Sequence, residues 1–165
     1  MLSKIFGLVA NKQKSSGTAT KGLTHGWKRI VLPASEAPFS MRSIHTASRI
    51  ASSSPGCEVT LVYILEVPRS YSLYANMPDE EAHAQIVLAN GVEEARQFGL
   101  DPATEVLRVR EAIEGLTKYV EQQNVDLLIL GSRPDEVRGL SHEFAAEIFR
   151  RSTCEVILDY IANEQ

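Results

Sequence analysis

Apolar residues along this chain fall in short, nearly continuous runs, separated by stretches whose hydrophobic positions recur every three or four residues. The clearest run is Val125-Asp126-Leu127-Leu128-Ile129-Leu130. It is too short to cross a membrane and has the length and composition of a strand buried on both faces. Gly131 and Ser132 end it, and a polar loop continues to Ser141. Phe144, Ala145, Ile148 and Phe149 then share one face of a helix, and Glu155-Val156-Ile157-Leu158 reads as a further strand. Strand, glycine turn, helix, strand is a βαβ crossover. In open parallel sheets a ligand sits beyond the carboxyl end of such a strand, so the candidate ligand segment is Gly131, Ser132 and Arg133.

The same alternation fills the rest of the chain. Arg29 to Leu32 is a strand stopped by Pro33, and Ser35 is placed to cap a helix running to about Ser53, with Phe39, Ile44, Ala47, Ile50 and Ala51 inward. A long strand rich in β-branched residues follows at Glu58 to Leu65. After a loop carrying Tyr71 and Tyr74, placed to line a mouth over the ligand crevice, Pro78 to Phe98 is a helix that should turn Ala82, Ile86, Ala89, Val92 and Ala95 inward and stop at Gly99. Thr104 to Arg110 is a strand, and Glu111 to Gln122 a helix burying Ile113, Leu116 and Val120. Five strands alternating with helices predict an α/β domain with an open parallel sheet covered on both faces. The pattern does not give the strand order.

Residues 1–26 stand apart as an arm and linker before a domain spanning 27–165. Leu2, Ile5, Phe6 and Val9 fall on one side of a short amphipathic segment, and Asn11 to Lys21 has linker composition. The apolar stretch is short, broken by Gly7, and lacks the cleavage site of a signal peptide. Two readings follow: a weak anchor with Lys4, Lys12 and Lys14 facing anionic lipid, and a frayed terminus. The second is the expectation.

Size and composition narrow the class. The chain has 165 residues, 44% apolar and 23% charged, which suits one globular domain. A net charge of −4 argues against nucleic acid as the main partner. Cys57 and Cys154 each open a strand, and strands kept apart by the topology leave them as thiols in a reducing, cytoplasmic setting. Catalytic patterns fail. His142-Glu143 begins an H-E-x-x-H motif that Ala146 ends, and His25, His45, His83 and His142 share no ligand spacing. There is no G-x-S-x-G elbow, and Cys154 has no adjacent base. The expectation is a non-enzyme without a metal.

Particular segments carry a resemblance. Asp126-Leu127-Leu128-Ile129-Leu130-Gly131-Ser132 and Cys154-Glu155-Val156-Ile157-Leu158, with K-R-I-V-L-P-A-S-E at the first strand and E-V-T-L-V-Y-I-L-E-V-P at the second, resemble a universal stress protein domain over about Trp27 to Tyr160. The resemblance implies a Rossmann-like fold with strand order 3-2-1-4-5 and a regulatory role in stress response. It also implies a nucleotide crevice in which Pro33, Val59, Gly131 and Ser132 match the family's contacts. The pattern is broken at its phosphate loop. Pro33-Ala34-Ser35-Glu36 lacks the family's Asp, Pro134 replaces a glycine, and His142 and Glu143 stand where a glycine and hydroxyl residue belong. A polyphosphate needs unobstructed backbone N–H groups, which proline does not supply and which a carboxylate at a helix start repels. Arg133 and Arg138 are the cations able to meet a phosphate instead.

The leading expectation is therefore a non-catalytic regulatory module without a cofactor. The alternative is a sensor of AMP, ATP or a cyclic dinucleotide through an altered site. The second strand and the following Arg69-Ser70 are similar to modules appended to amino-acid permeases, which implies a transporter as partner. The last strand lies at the sheet edge in this family. Val156, Ile157, Leu158 and Tyr160 are thus the expected homodimer interface, with Asp159 a partial guard against pairing.

Overall fold

Alternate residues of each strand point to opposite faces of one sheet, and the two faces bury different sets of side chains. The computed structural model describes residues 9–10, 26–36, 38–132 and 142–160. In chain order its elements are β1 (Val9–Ala10), β2 (Arg29–Pro33), α1 (Pro38–Ser52), β3 (Glu58–Glu66), α2 (Pro78–Gln97), β4 (Ala103–Val109), α3 (Ala112–Gln122), β5 (Leu127–Ser132), α4 (His142–Arg151) and β6 (Glu155–Tyr160). The sheet order is β1-β6-β5-β2-β3-β4. The five strands β2 to β6 are all parallel in the expected 3-2-1-4-5 arrangement, and β1 joins antiparallel at the β6 edge.

Ile30, Leu32, Val59, Leu61, Leu127 and Ile129 pack with Ile44 and Ala47 of α1 and with Val87 and Leu88 of α2. Val31, Val62, Leu128 and Leu130 pack with Leu116 and Val120 of α3 and with Ala145 and Ile148 of α4. Central strand β5 serves both layers at once. Leu127, Leu128, Ile129 and Leu130 are all fully buried, which is why this run shows no polar alternation. Each such side chain contributes ~1.5–3 kcal/mol relative to an exposed one.

Asp126, the one polar residue of that run, has a structural task. Its Oδ2 accepts hydrogen bonds from the backbone N–H groups of Lys28 at 2.9 Å and Arg29 at 2.8 Å, fixing the start of β2 against β5. The indole N–H of Trp27 donates to Glu155 at 2.8 Å, and Arg29 Nη1 donates to the Gln123 carbonyl at 2.8 Å. The amino-terminal ends of β2, β5 and β6 are thereby tied together.

Helix α2 turns a partly different face inward from the one its spacing predicts: Ala95 is buried and Val92 packs on the core as expected, but the rest of the face is rotated. Ala84, Val87, Leu88, Gly91 and Ala95 are buried, while Ala82 and Ala89 are exposed and Ile86 is 59% exposed. Alanine and glycine occur all around this helix, so its periodicity is weak. The contact with β3 and α1 selects the face on which Gly91 allows close approach. The predicted stop holds: Gly99 takes φ +75°, a left-handed conformation favourable for glycine.

Candidate functional site

The ladder between β2 and β5 runs through Ile30 opposite Leu127 and Val31 opposite Leu128. From β2 the chain crosses to β3 on one side, and from β5 it crosses to β6 on the other. The carboxyl ends of β2 and β5 therefore bound the crevice at the topological switch point. Pro33 ends β2, buried opposite Val62, and the Ala34 N–H donates to the Val62 carbonyl at 2.8 Å. Gly131 and Ser132 end β5 opposite Asp159 and Tyr160. Pro33, Gly131 and Ser132 thus share the carboxyl rim. Val59 does not. It lies near the amino end of β3 opposite Ile30, 5% exposed in the α1/α2 core layer. Its placement as a ligand contact is corrected by strand direction, since only the carboxyl ends face the crevice. Arg133, Pro134 and Arg138 lie outside the described residues.

Several rim groups carry no motif. Arg42 of α1 pairs with Asp159 of β6, Nε to Oδ1 at 3.2 Å, and Thr46 Oγ1 donates to Asp159 Oδ2 at 2.8 Å. The Asp159 side chain is only 5% exposed. Its expected role as a guard on the open edge is therefore corrected: β6 alternation turns it inward to α1, where it finds a cation and a hydroxyl. The sole signal in the sequence was an acid inside an apolar strand. Glu36, just beyond β2, lies 3.4 Å from His83 of α2, whose ring meets Tyr63 edge-on with centroids 6.1 Å apart. Partial burial, and secondarily the Glu36 carboxylate, raise the Tyr63 hydroxyl above its ordinary pKa.

Helix α4 begins at His142, so Glu143 stands exposed in its first turn. Glu143 brings a carboxylate to the helix end at which the dipole favours an anion. The thiols are no better suited to chemistry. Burial pushes Cys154 up to about 11, and burial with nearby Asp126 and Glu58 raises Cys57, so both are protonated near neutrality. Among the described residues no three His, Cys, Asp or Glu side chains converge as a metal site requires, and no helix is long and apolar enough to cross a membrane.

Across the sheet, Arg108 and Arg110 fix the β3–α2 loop by its carbonyls. Arg108 Nε donates to Leu73 at 2.9 Å, and its other nitrogens reach Ala75 and the Glu81 carboxylate. Arg110 donates to Val67 at 3.0 Å, Pro68 at 2.7 Å and Tyr71 at 2.9 Å. The loop so held leaves Tyr71 58% and Tyr74 83% exposed. Beside it a cleft of about 590 Å³ is lined by Arg69, Leu73, Val109, Arg110, Glu114 and Lys118 among others. The adjacent start of α3 already holds carboxylates. Glu66 accepts from the Ala112 N–H, and Glu111 accepts from Ile113 and Glu114.

At the opposite edge, β1 pairs with β6, Val9 opposite Ile157 and Ala10 opposite Val156. Part of the edge assigned to dimerisation is thus covered by the chain's own arm. Val156 is buried and Ile157 and Leu158 are half-buried.

The geometry agrees with known proteins. Residues 26–158 match the sequence profile of the universal stress protein family. The fold is similar to a universal stress protein from Archaeoglobus fulgidus, with TM-score 0.65, 17% identity, and coverage of 81% of this chain and 93% of that one. A complex of the Archaeoglobus fulgidus protein with dAMP gives TM-score 0.65 at 16% identity, covering 81% of this chain and 98% of that one. An Arabidopsis thaliana family protein with AMP bound gives 0.54 at 12% identity, covering 81% and 91%. No curated protein sequence matches the chain. With the family profile spanning β2 to β5, all four helices and most of β6, this chain belongs to the universal stress protein family.

Proposed function

We propose that this chain is a non-catalytic regulatory module of the universal stress type, working in the cytoplasm through protein contacts rather than through a bound triphosphate. The observation that carries this reading is Glu143 in the first turn of α4. It sets a negative charge at the helix start beyond β5, in the place where the backbone N–H groups and dipole would favour a phosphate. Pro134, between β5 and α4 in sequence, has no N–H to donate. Elsewhere the chain presents surface instead of chemistry: a loop pinned by Arg108 and Arg110 that displays Tyr71 and Tyr74, and the apolar strand β6, which β1 covers only in part. Tyrosine is enriched in protein interfaces. The partners this reading favours are a second copy, through β6, and a membrane transporter, supported by the resemblance of E-V-T-L-V-Y-I-L-E-V-P to permease-associated modules.

A second reading, a sensor of AMP, ATP or a cyclic dinucleotide, is favoured by the similar structures holding dAMP and AMP and by a further universal stress protein crystallised with cAMP. Calorimetric titration of the full chain with ATP, AMP and cyclic di-AMP decides between them. The regulatory reading expects no submicromolar binding of any of the three. Submicromolar affinity for any one would replace it with the sensor.

A further inference from the structure

The outer edge of β6 is paired by a segment distant in sequence, and only over part of its length. Strand β6 spans Glu155–Tyr160, whereas β1 spans only Val9–Ala10 and faces Val156 and Ile157 alone. A very short strand laid on a sheet edge is a common way to blunt it. We propose that this edge is an exchangeable pairing site: β1 occupies it in the single chain, and when β1 withdraws it accepts the β6 edge of a second copy. The arm then sets the dimerisation constant. The proposal rests on the reading of this protein as a module that acts through contacts, including self-contact.

Three features make a second copy the fitting occupant. First, β6 carries two acids, and both are engaged within their own chain. Asp159 is 5% exposed against Arg42 and Thr46, and Glu155 accepts from the Trp27 indole. In a two-fold antiparallel pair the same edge supplies both halves; Arg42 compensates the Asp159 charge within each copy, and Glu155 is drawn to Trp27 of its own chain. Second, Ile157 and Leu158 remain half-buried while packing from opposite faces against the two core layers. Apolar surface is therefore left over on each face of the edge, and a neighbouring strand would bury it. Third, the competition is balanced. A tethered strand acts at an effective concentration on the order of millimolar, which favours β1 over a micromolar second copy for equal contacts. The second copy offers a longer ladder, up to the six residues of β6 against the two that β1 covers.

The test measures dimerisation constants by sedimentation equilibrium for the full chain, for full-length Val9→Pro/Ala10→Pro, and for a chain lacking Met1 to Thr20. Proline has no N–H and weakens ladder pairing without altering β6. Both altered chains should dimerise more tightly than the original, by roughly tenfold or more. Adding Ile157→Lys to the proline variant should return it to monomer, with circular dichroism confirming that it is folded. Equal constants in all three chains would overturn the gating while leaving self-contact in place. Chains that all stay monomeric at hundreds of micromolar would overturn both gating and pairing. A dimer that survives a folded Ile157→Lys would move the interface away from β6. None of these outcomes depends on nucleotide binding.

Discussion

Replacing Gly115 of α3 with alanine should destabilise the domain, whereas the same change at Gly91 of α2 should not. A Cβ built on Gly115 would lie 2.1 Å from Cγ1 and 2.6 Å from Cβ of Val109. Carbon atoms in contact prefer ~3.5–4.0 Å. Rotating Val109 about χ1 moves Cγ1 away but leaves Cβ in place, because Cβ moves only with the β4 backbone. That backbone is held where the Val109 carbonyl accepts the Val67 N–H at 2.8 Å. Helix α3 must therefore lift by about 1 Å from a core in which Leu116 is fully buried. With approaches this short the overpacking cost lies in the upper part of the ~1–3 kcal/mol range, about 2–3 kcal/mol, against a gain of ~1 kcal/mol from alanine's helix propensity. The net loss is ~1–2 kcal/mol, a fall in Tm of roughly 2–8 °C for a domain of this size. At Gly91 the nearest atoms are Leu61 Cδ1 at 2.9 Å and Ile44 Cδ1 at 3.7 Å, both ends of flexible side chains. There the propensity gain should cancel the adjustment to within ~1 kcal/mol. Thermal and urea unfolding of the two variants provides the comparison, and Val109→Ala in the Gly115→Ala background should not recover the deficit, because alanine keeps the Cβ that lies 2.6 Å from the new methyl group. A Gly115→Ala protein as stable as the original, or a Gly91→Ala protein that loses as much, would refute the reasoning.

Two further outcomes follow from buried polar groups. Arg42→Ala leaves the Asp159 carboxylate, 5% exposed, with Thr46 as its remaining side-chain partner among the described residues; it should cost ~3 kcal/mol in urea unfolding, and Arg42→Ala/Asp159→Asn should cost less than the single change. For Cys154 the folded thiol is raised from 9.0 to about 11, so the unfolded chain ionises first as pH rises. Its contribution is intact below pH 9 and is lost between about 9 and about 11, by an amount on the order of 2–3 kcal/mol. Cys154→Ala should show a shallower fall across that window, and parallel curves for the two proteins would contradict the assignment.

The strands of this protein are legible in its sequence because a central parallel strand has no solvent face. Leu127 to Leu130 must all be apolar, and such a run between polar segments has few other readings. Helix α4 is equally plain, since Phe144, Ala145, Ile148 and Phe149 face the α3/α4 core layer as their spacing requires. Motif resemblance supplied the strand order, which no periodicity contains. Local pattern failed where the deciding partner is distant. The inward face of α2 was set by packing on β3 and α1, because Ala and Gly around the helix leave its spacing ambiguous. Val59 matched a motif, yet its place near the amino end of β3 took it from the crevice. Asp159 read as an edge charge until α1 supplied Arg42 and Thr46 on the inner side. The pairing of β1 with β6 lies furthest from view. Composition along the chain determines which segments bury their faces, but two residues near its beginning can be assigned to an edge near its end only when the folded sheet has formed that edge.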